Sequence, residues 1–125
     1  IKACKMMTKH LIKSKIKQKQ MELSRQRMMS EVPNADVIIT NPTHYAVAIK
    51  YDEGVSRAPI VVAKGIDNMA QQIKKIARES NVHIVQNPPL ARSLYAEVEL
   101  NKAIPEALFA AVAEILAYVY KMEKK

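Results

Sequence analysis

Val37-Ile38-Ile39-Thr40-Asn41-Pro42-Thr43-His44-Tyr45-Ala46-Val47-Ala48-Ile49 reads as two apolar strands broken by a polar turn. Val37-Ile38-Ile39 is a continuous β-branched run, the pattern of a strand covered on both faces. Asn41-Pro42 interrupts it, because proline has no N–H for a sheet ladder. Ala46-Val47-Ala48-Ile49 then resumes as a second strand, which Asp52-Glu53-Gly54 ends. Ile60-Val61-Val62-Ala63 is a third strand, closed by Gly65.

Beyond Gly65 the period changes. Ile66, Met69, Ala70, Ile73, Ile76 and Ala77 recur at helical spacing, with Gln71, Gln72, Lys74, Lys75 and Arg78 expected to face out. Val82–Val85 is a fourth strand, and the strand–helix–strand connection makes strands three and four parallel. Pro89 is placed to open a short helix over Leu90–Tyr95, and Pro105 to open a last one. Leu108, Val112, Ile115, Leu116 and Val119 form the buried stripe of that last helix. The fold class is α/β, with a small mixed four-stranded sheet flanked by helices and preceded by a long basic N-terminal helix.

Charge divides the chain. Residues 1–30 carry nine Lys/Arg against a single acid, Glu22, while 31–125 carry eleven of each, so all of the +8 net charge lies in the first segment. The expected organisation is a basic helical linker over 1–31, ended by Pro33, and a neutral α/β domain over 32–125. The apolar positions of the linker, Ile12, Ile16, Met21, Leu23 and Met28, make only a weak stripe. The linker has three readings: a solvated helix, a membrane-proximal segment drawn to an anionic leaflet, or a nucleic-acid binder. The third is disfavoured, because no aromatic interleaves the charges in residues 1–44. One cysteine, Cys4, excludes an internal disulfide. Cys4, His10, His44 and His83 lack a metal-ligand spacing, and no cofactor is expected.

Asn41-Pro42 carries specific chemistry. The usual self-damage of asparagine needs the next residue's backbone nitrogen as nucleophile, and proline closes that route. What remains is attack by the Asn41 side-chain nitrogen on the Asn41 backbone carbonyl, with the Pro42 amine leaving. Positioning, turn strain and an oxyanion donor would each accelerate it. His44 is near enough in sequence to act as base, acid or turn-shaping group. Yet Asn-Pro is also a common turn initiator, and Asn87-Pro88 repeats the dipeptide. Local chemistry does not rank the two bonds.

The context does. Val32-Pro33, Ala35–Ala48, Ala58–Gly65, Leu90–Tyr95, Ile104-Pro105 and Ala111–Glu114 together resemble the cytoplasmic domain of the FlhB/YscU family, the autocleaving specificity-switch proteins of type III secretion. The likeness runs over residues 13–122, and Tyr45–Ala48 with Val61–Gly65 resemble the flagellar rather than the injectisome branch. Thr8-Lys9-His10-Leu11 departs from the acidic stretch usual there. The resemblance implies an autocleavage site at Asn41, Pro42, Thr43 and His44, cut between Asn41 and Pro42 in a single turnover, with the pieces staying associated. It implies transmembrane helices before residue 1, this domain on the cytoplasmic side of the bacterial inner membrane, and the basic helix near the membrane surface. The implied partners are other export-gate proteins, a hook-length or needle-length control protein, and export substrates. The implied role is switching export from rod/hook to filament substrates, or from needle to later ones. A non-cleaving interaction domain of the same fold is the alternative.

Overall fold

The computed structural model describes residues 2–42, 44–52, 54 and 57–123, with side chains from residue 15 to 122. The chain divides into two units, residues 1–30 and 31–125. The first consists of a single helix, α1 (Lys2–Glu31), of which the last residue belongs to the second unit. Every side chain from Lys15 to Arg27 is exposed, as the weak apolar stripe predicts. A 3-10 turn over Val32–Asn34, with Pro33 inside it, follows the helix.

The second unit is built on β1 (Val37–Asn41), β2 (Tyr45–Lys50), β3 (Ile60–Ile66) and β4 (His83–Gln86), in the order β3-β2-β1-β4. β1 pairs antiparallel with β2 and parallel with β4, and β2 pairs antiparallel with β3. The mixed sheet is the expected one, and β3 and β4 run parallel. They lie at opposite edges, because the connection between them crosses both strands of the hairpin. β3 runs one residue past Gly65, so Ile66 ends a strand instead of starting a helix stripe.

The helices are α2 (Asp67–Glu79), α3 (Pro88–Glu97) and α4 (Phe109–Glu123). Val37, Ile39, Val47, Ile49 and Val61 form one core with Leu90, Ala91 and Leu94 of α3 and Val112, Leu116 and Val119 of α4. Strand alternation turns Ile38, Ala46 and Ala48 to the opposite face, where α2 buries Ala70, Ile73 and Ala77. This makes three layers, with β1 buried from Val37 to Thr40 as its β-branched run requires. The segment Asn101–Ile104 covers the free edge of β3, with backbone bonds such as Asn101 N–H to Val61 O at 2.7 Å.

Two positions bring α2 close to the hairpin. A Cβ at Gly65 would lie 2.7 Å from Met69 Cβ and 3.1 Å from Met69 C, so only glycine lets the first turn of α2 sit against the sheet. Asp67, the first residue of α2, has φ +47°, a left-handed conformation that aspartate tolerates better than most residues. α3 starts at Pro88, one residue earlier than expected, because Asn87 caps it: its side chain accepts from Leu90 N–H at 3.3 Å. Pro105 opens a separate 3-10 turn over Glu106–Leu108, so the last helix starts at Phe109, four residues later than expected. Among the described residues, no helix is long and apolar enough to cross a membrane.

Candidate functional site at the hairpin turn

Asn41 pairs with Tyr45 across the hairpin, so the chain reverses between them. The turn closes with a hydrogen bond from His44 N–H to the Asn41 carbonyl at 3.1 Å. Proline in second place suits such a turn, since its ring presets φ near −65°. Asn41 is half-buried, and Pro42 and His44 are exposed. Thr43 lies outside the described residues.

The closing bond has chemical weight. The Asn41 carbonyl carbon is the electrophile of the cyclisation considered above. Its oxygen would gain negative charge as the side-chain nitrogen attacked. A backbone N–H is already aimed at that oxygen, the arrangement that stabilises developing oxyanions.

The turn is held from outside by α2. Asp67 N–H donates to the His44 carbonyl at 2.9 Å, and the Asp67 carboxylate lies 3.4 Å from His44 Nδ1. Both side chains of that pair are about two-thirds exposed, so its contribution is small. Two turns along the same helix, Lys74 Nζ donates to the Pro42 carbonyl at 3.1 Å. Lys74 is buried, which corrects the expectation that it faces out. A helical signal pointed to this. Lys74 follows Ala70 by four residues, so it lies about 40° from it around the helix, on the margin of the apolar stripe. Behind the turn, the Thr40 carbonyl accepts from Asn87 N–H at 2.9 Å, and the Tyr45 ring packs on Tyr95 with centroids 5.2 Å apart.

The second Asn-Pro bond sits differently. The Asn87 side-chain oxygen is taken up by the α3 cap, and its backbone carbonyl accepts from Ala91 N–H at 2.9 Å in the helix ladder. Arg92 is exposed on α3, and His83 is half-buried in β4, opposite Val37. Among the described residues no group of three or more His, Cys, Asp or Glu comes together to hold a metal.

A family model described as the FlhB HrpN YscU SpaS Family matches residues 6–119. The chain belongs to this family. The match begins ahead of the motifs at residue 13 and takes in the departing stretch at Thr8–Leu11. Flagellar biosynthetic protein FlhB of Bacillus subtilis is 61% identical over 115 residues, 92% of this chain and 32% of that protein. The Escherichia coli FlhB is 50% identical over 113 residues, 90% of this chain and 30% of that protein. The chain thus spans about a third of the length of the curated relatives it matches. Among solved structures, the cytoplasmic domain of FlhB from Shewanella putrefaciens superposes with a TM-score of 0.77 at 55% identity, covering 80% of this chain and 77% of that one. A C-terminal domain of EscU gives 0.71 at 32% identity, covering 74% and 92%. The higher identities place this family member on the flagellar FlhB branch, and the matched folds agree with the α/β architecture described above.

Proposed function

We propose that this domain cuts its own backbone between Asn41 and Pro42 and, in the cytoplasmic part of a flagellar export-apparatus protein, switches export from rod/hook to filament substrates. In the cutting step the Asn41 side-chain nitrogen bonds to the Asn41 carbonyl carbon. The Asn41–Pro42 bond breaks, and one proton of the carboxamide ends on the Pro42 nitrogen. The products are a C-terminal succinimide, which water opens to Asn or isoAsn, and a free N-terminal Pro42. The chemistry is a single turnover and acts on no other substrate.

The observation that carries this reading is the Asn41 carbonyl, held by His44 N–H in a turn anchored to α2. His44 contributes its backbone there. Its imidazole points toward Asp67, which favours a turn-shaping part over proton transfer. Thr43 completes the site by the family pattern. The fold also supports persistence of the cut domain. β1 lies between β2 and β4, both in the later piece, and it buries Val37, Ile38 and Ile39 completely. Three such side chains hold the pieces together by roughly 5–9 kcal/mol of apolar burial, before any ladder bonds are counted.

Residues 1–31 lead, in this reading, from an inner-membrane domain. Their positive charge lies against the anionic cytoplasmic leaflet, and the α/β domain meets the export gate, a length-control protein and substrates. The test is the mass of the chain purified at neutral pH. Two fragments that co-elute natively and part in denaturant are expected, the later one beginning at Pro42. A single uncut chain overturns the proposal.

A further inference from the structure

Lys74 and Thr40 are the buried polar side chains among the described residues, at 8% and 1% exposure. Both sit at the proposed scissile bond. Thr40 precedes Asn41 and reaches the Val85 carbonyl at 3.5 Å, while Lys74 reaches the carbonyl of Pro42. A serine or threonine hydroxyl is buried cheaply. A lysine is not, and the fold gains little by placing one here. The positions around it on α2, Ala70, Ile73 and Ala77, are buried and apolar, so a side chain such as Met would satisfy the packing alone.

We infer that Lys74 is a positioning residue for the self-cleavage proposed above, holding the leaving residue Pro42 by its carbonyl while Asn41 attacks. The inference rests on that reading. Its physical basis is the shortage of free torsions in the turn. The proline ring fixes φ of Pro42, so ψ is the remaining soft angle of the leaving residue. The direction of the Pro42 carbonyl reports that angle, and Lys74 Nζ anchors it at 3.1 Å. The anchor stands on α2, which Gly65 allows against the sheet and which also grips the His44 carbonyl through Asp67 N–H. The two carbonyls that flank Thr43 are therefore both bound to one rigid helix. The scissile nitrogen is held in place relative to the attacked carbon, whose oxygen His44 N–H already holds. Lys74 itself touches neither reacting atom. It removes the freedom that would let the turn drift from the attack geometry, and misplacement by about 1 Å costs about a hundredfold in rate.

The experiment times cleavage in cell-free synthesis with a brief label, comparing the natural chain with Lys74→Met and Lys74→Arg. Met keeps most of the stem and removes the donor, and Arg keeps a donor. Melting is followed separately for both substitutions in an Asn41→Ala background, where no cut confuses it. Lys74→Met is expected to slow cleavage by tenfold to a hundredfold while melting at or above the temperature of its parent. Lys74→Arg is expected to cut within about fivefold of the natural chain. Retained stability with lost rate is what a merely structural lysine would not give. The inference is overturned if Lys74→Met cuts at the natural rate. It is overturned equally if Lys74→Met melts well below its parent, or if a folded Lys74→Arg is as slow as Lys74→Met. If the natural chain itself stays whole, the cleavage reading fails, and that result is distinct from all three.

Discussion

Asn41-Pro42 and Asn87-Pro88 are the same dipeptide at the same end of the same sheet. Each lies at the end of one of two neighbouring parallel strands, with Thr40 opposite Gln86, and Asn87 N–H even donates to the Thr40 carbonyl. The difference lies in what the fold does with each carboxamide and carbonyl. At Asn87 both are used by a helix: the side chain caps α3 and the carbonyl accepts from Ala91 N–H. At Asn41 the carbonyl receives the turn-closing N–H of His44, and the proline that follows is tied to α2 through Lys74. One bond is spent on starting a helix, and the other is presented in a tethered turn. On the proposed cleavage, reactivity at an Asn-Pro bond is set by its tethering and not by the dipeptide.

Breaking the comparison outright requires removing each asparagine in turn. Asn41→Ala deletes the nucleophile and is expected to abolish cleavage completely, read as a single intact mass. Asn87→Ala is expected to leave the fragments unchanged. Its cost appears instead in stability, about 1 kcal/mol for a lost N-cap, measured by denaturant unfolding in the Asn41→Ala background. A changed fragment pattern from Asn87→Ala would collapse the contrast between the two bonds.

Much of this is legible in the amino-acid sequence alone. The hairpin follows from apolar runs on either side of a proline, and the buried stripe of α4 follows from its spacing. The chain could not show which asparagine is engaged by its surroundings. Asn87 as a cap depends on the Pro88-Pro89 pair starting the helix one residue early, and Asn41 depends on α2, which lies 26 or more residues away in sequence. Lys74 departs from its sequence pattern for a related reason. A lysine at the margin of an apolar stripe faces solvent by default, and it turns inward here because a carbonyl of a distant turn awaits it. Asp67 with its positive φ and the close approach at Gly65 are tertiary facts that leave no local periodicity.

Gly65 offers a gentler way to sharpen the contrast, since it acts on the tether alone. Gly65→Ala drives a methyl to 2.7 Å from Met69 Cβ and against Met69 backbone, so α2 must shift. A cost of about 1–3 kcal/mol is expected for such overpacking. Because Asp67 and Lys74 ride on the same helix, cleavage should slow along with the melting temperature. The α3 cap at Asn87, on the opposite face of the sheet, should keep its Leu90 amide protection in hydrogen exchange. Slowed cleavage with an unmoved α2 would show that the helix is not the tether.

The smallest effect is expected at Asp67, where two opposed terms nearly cancel. Its left-handed φ costs a residue with a Cβ about 1–2 kcal/mol, which glycine would recover. Glycine gives back about 0.5–1 kcal/mol through the entropy of the unfolded chain, and it forfeits the exposed contact to His44, worth about 0–1 kcal/mol. Asp67→Gly should therefore unfold within about 1 kcal/mol of its parent in the Asn41→Ala background. Asp67→Ala keeps the strain, loses the same contact and should be the less stable of the two. Both keep the backbone N–H that holds the His44 carbonyl, so in chains retaining Asn41 both should still cut. Loss of cleavage in Asp67→Gly with stability intact would mean that the carboxylate, through the His44 ring, belongs to the tether after all. The imidazole would then have to be counted with Lys74 among the groups that separate Asn41 from Asn87.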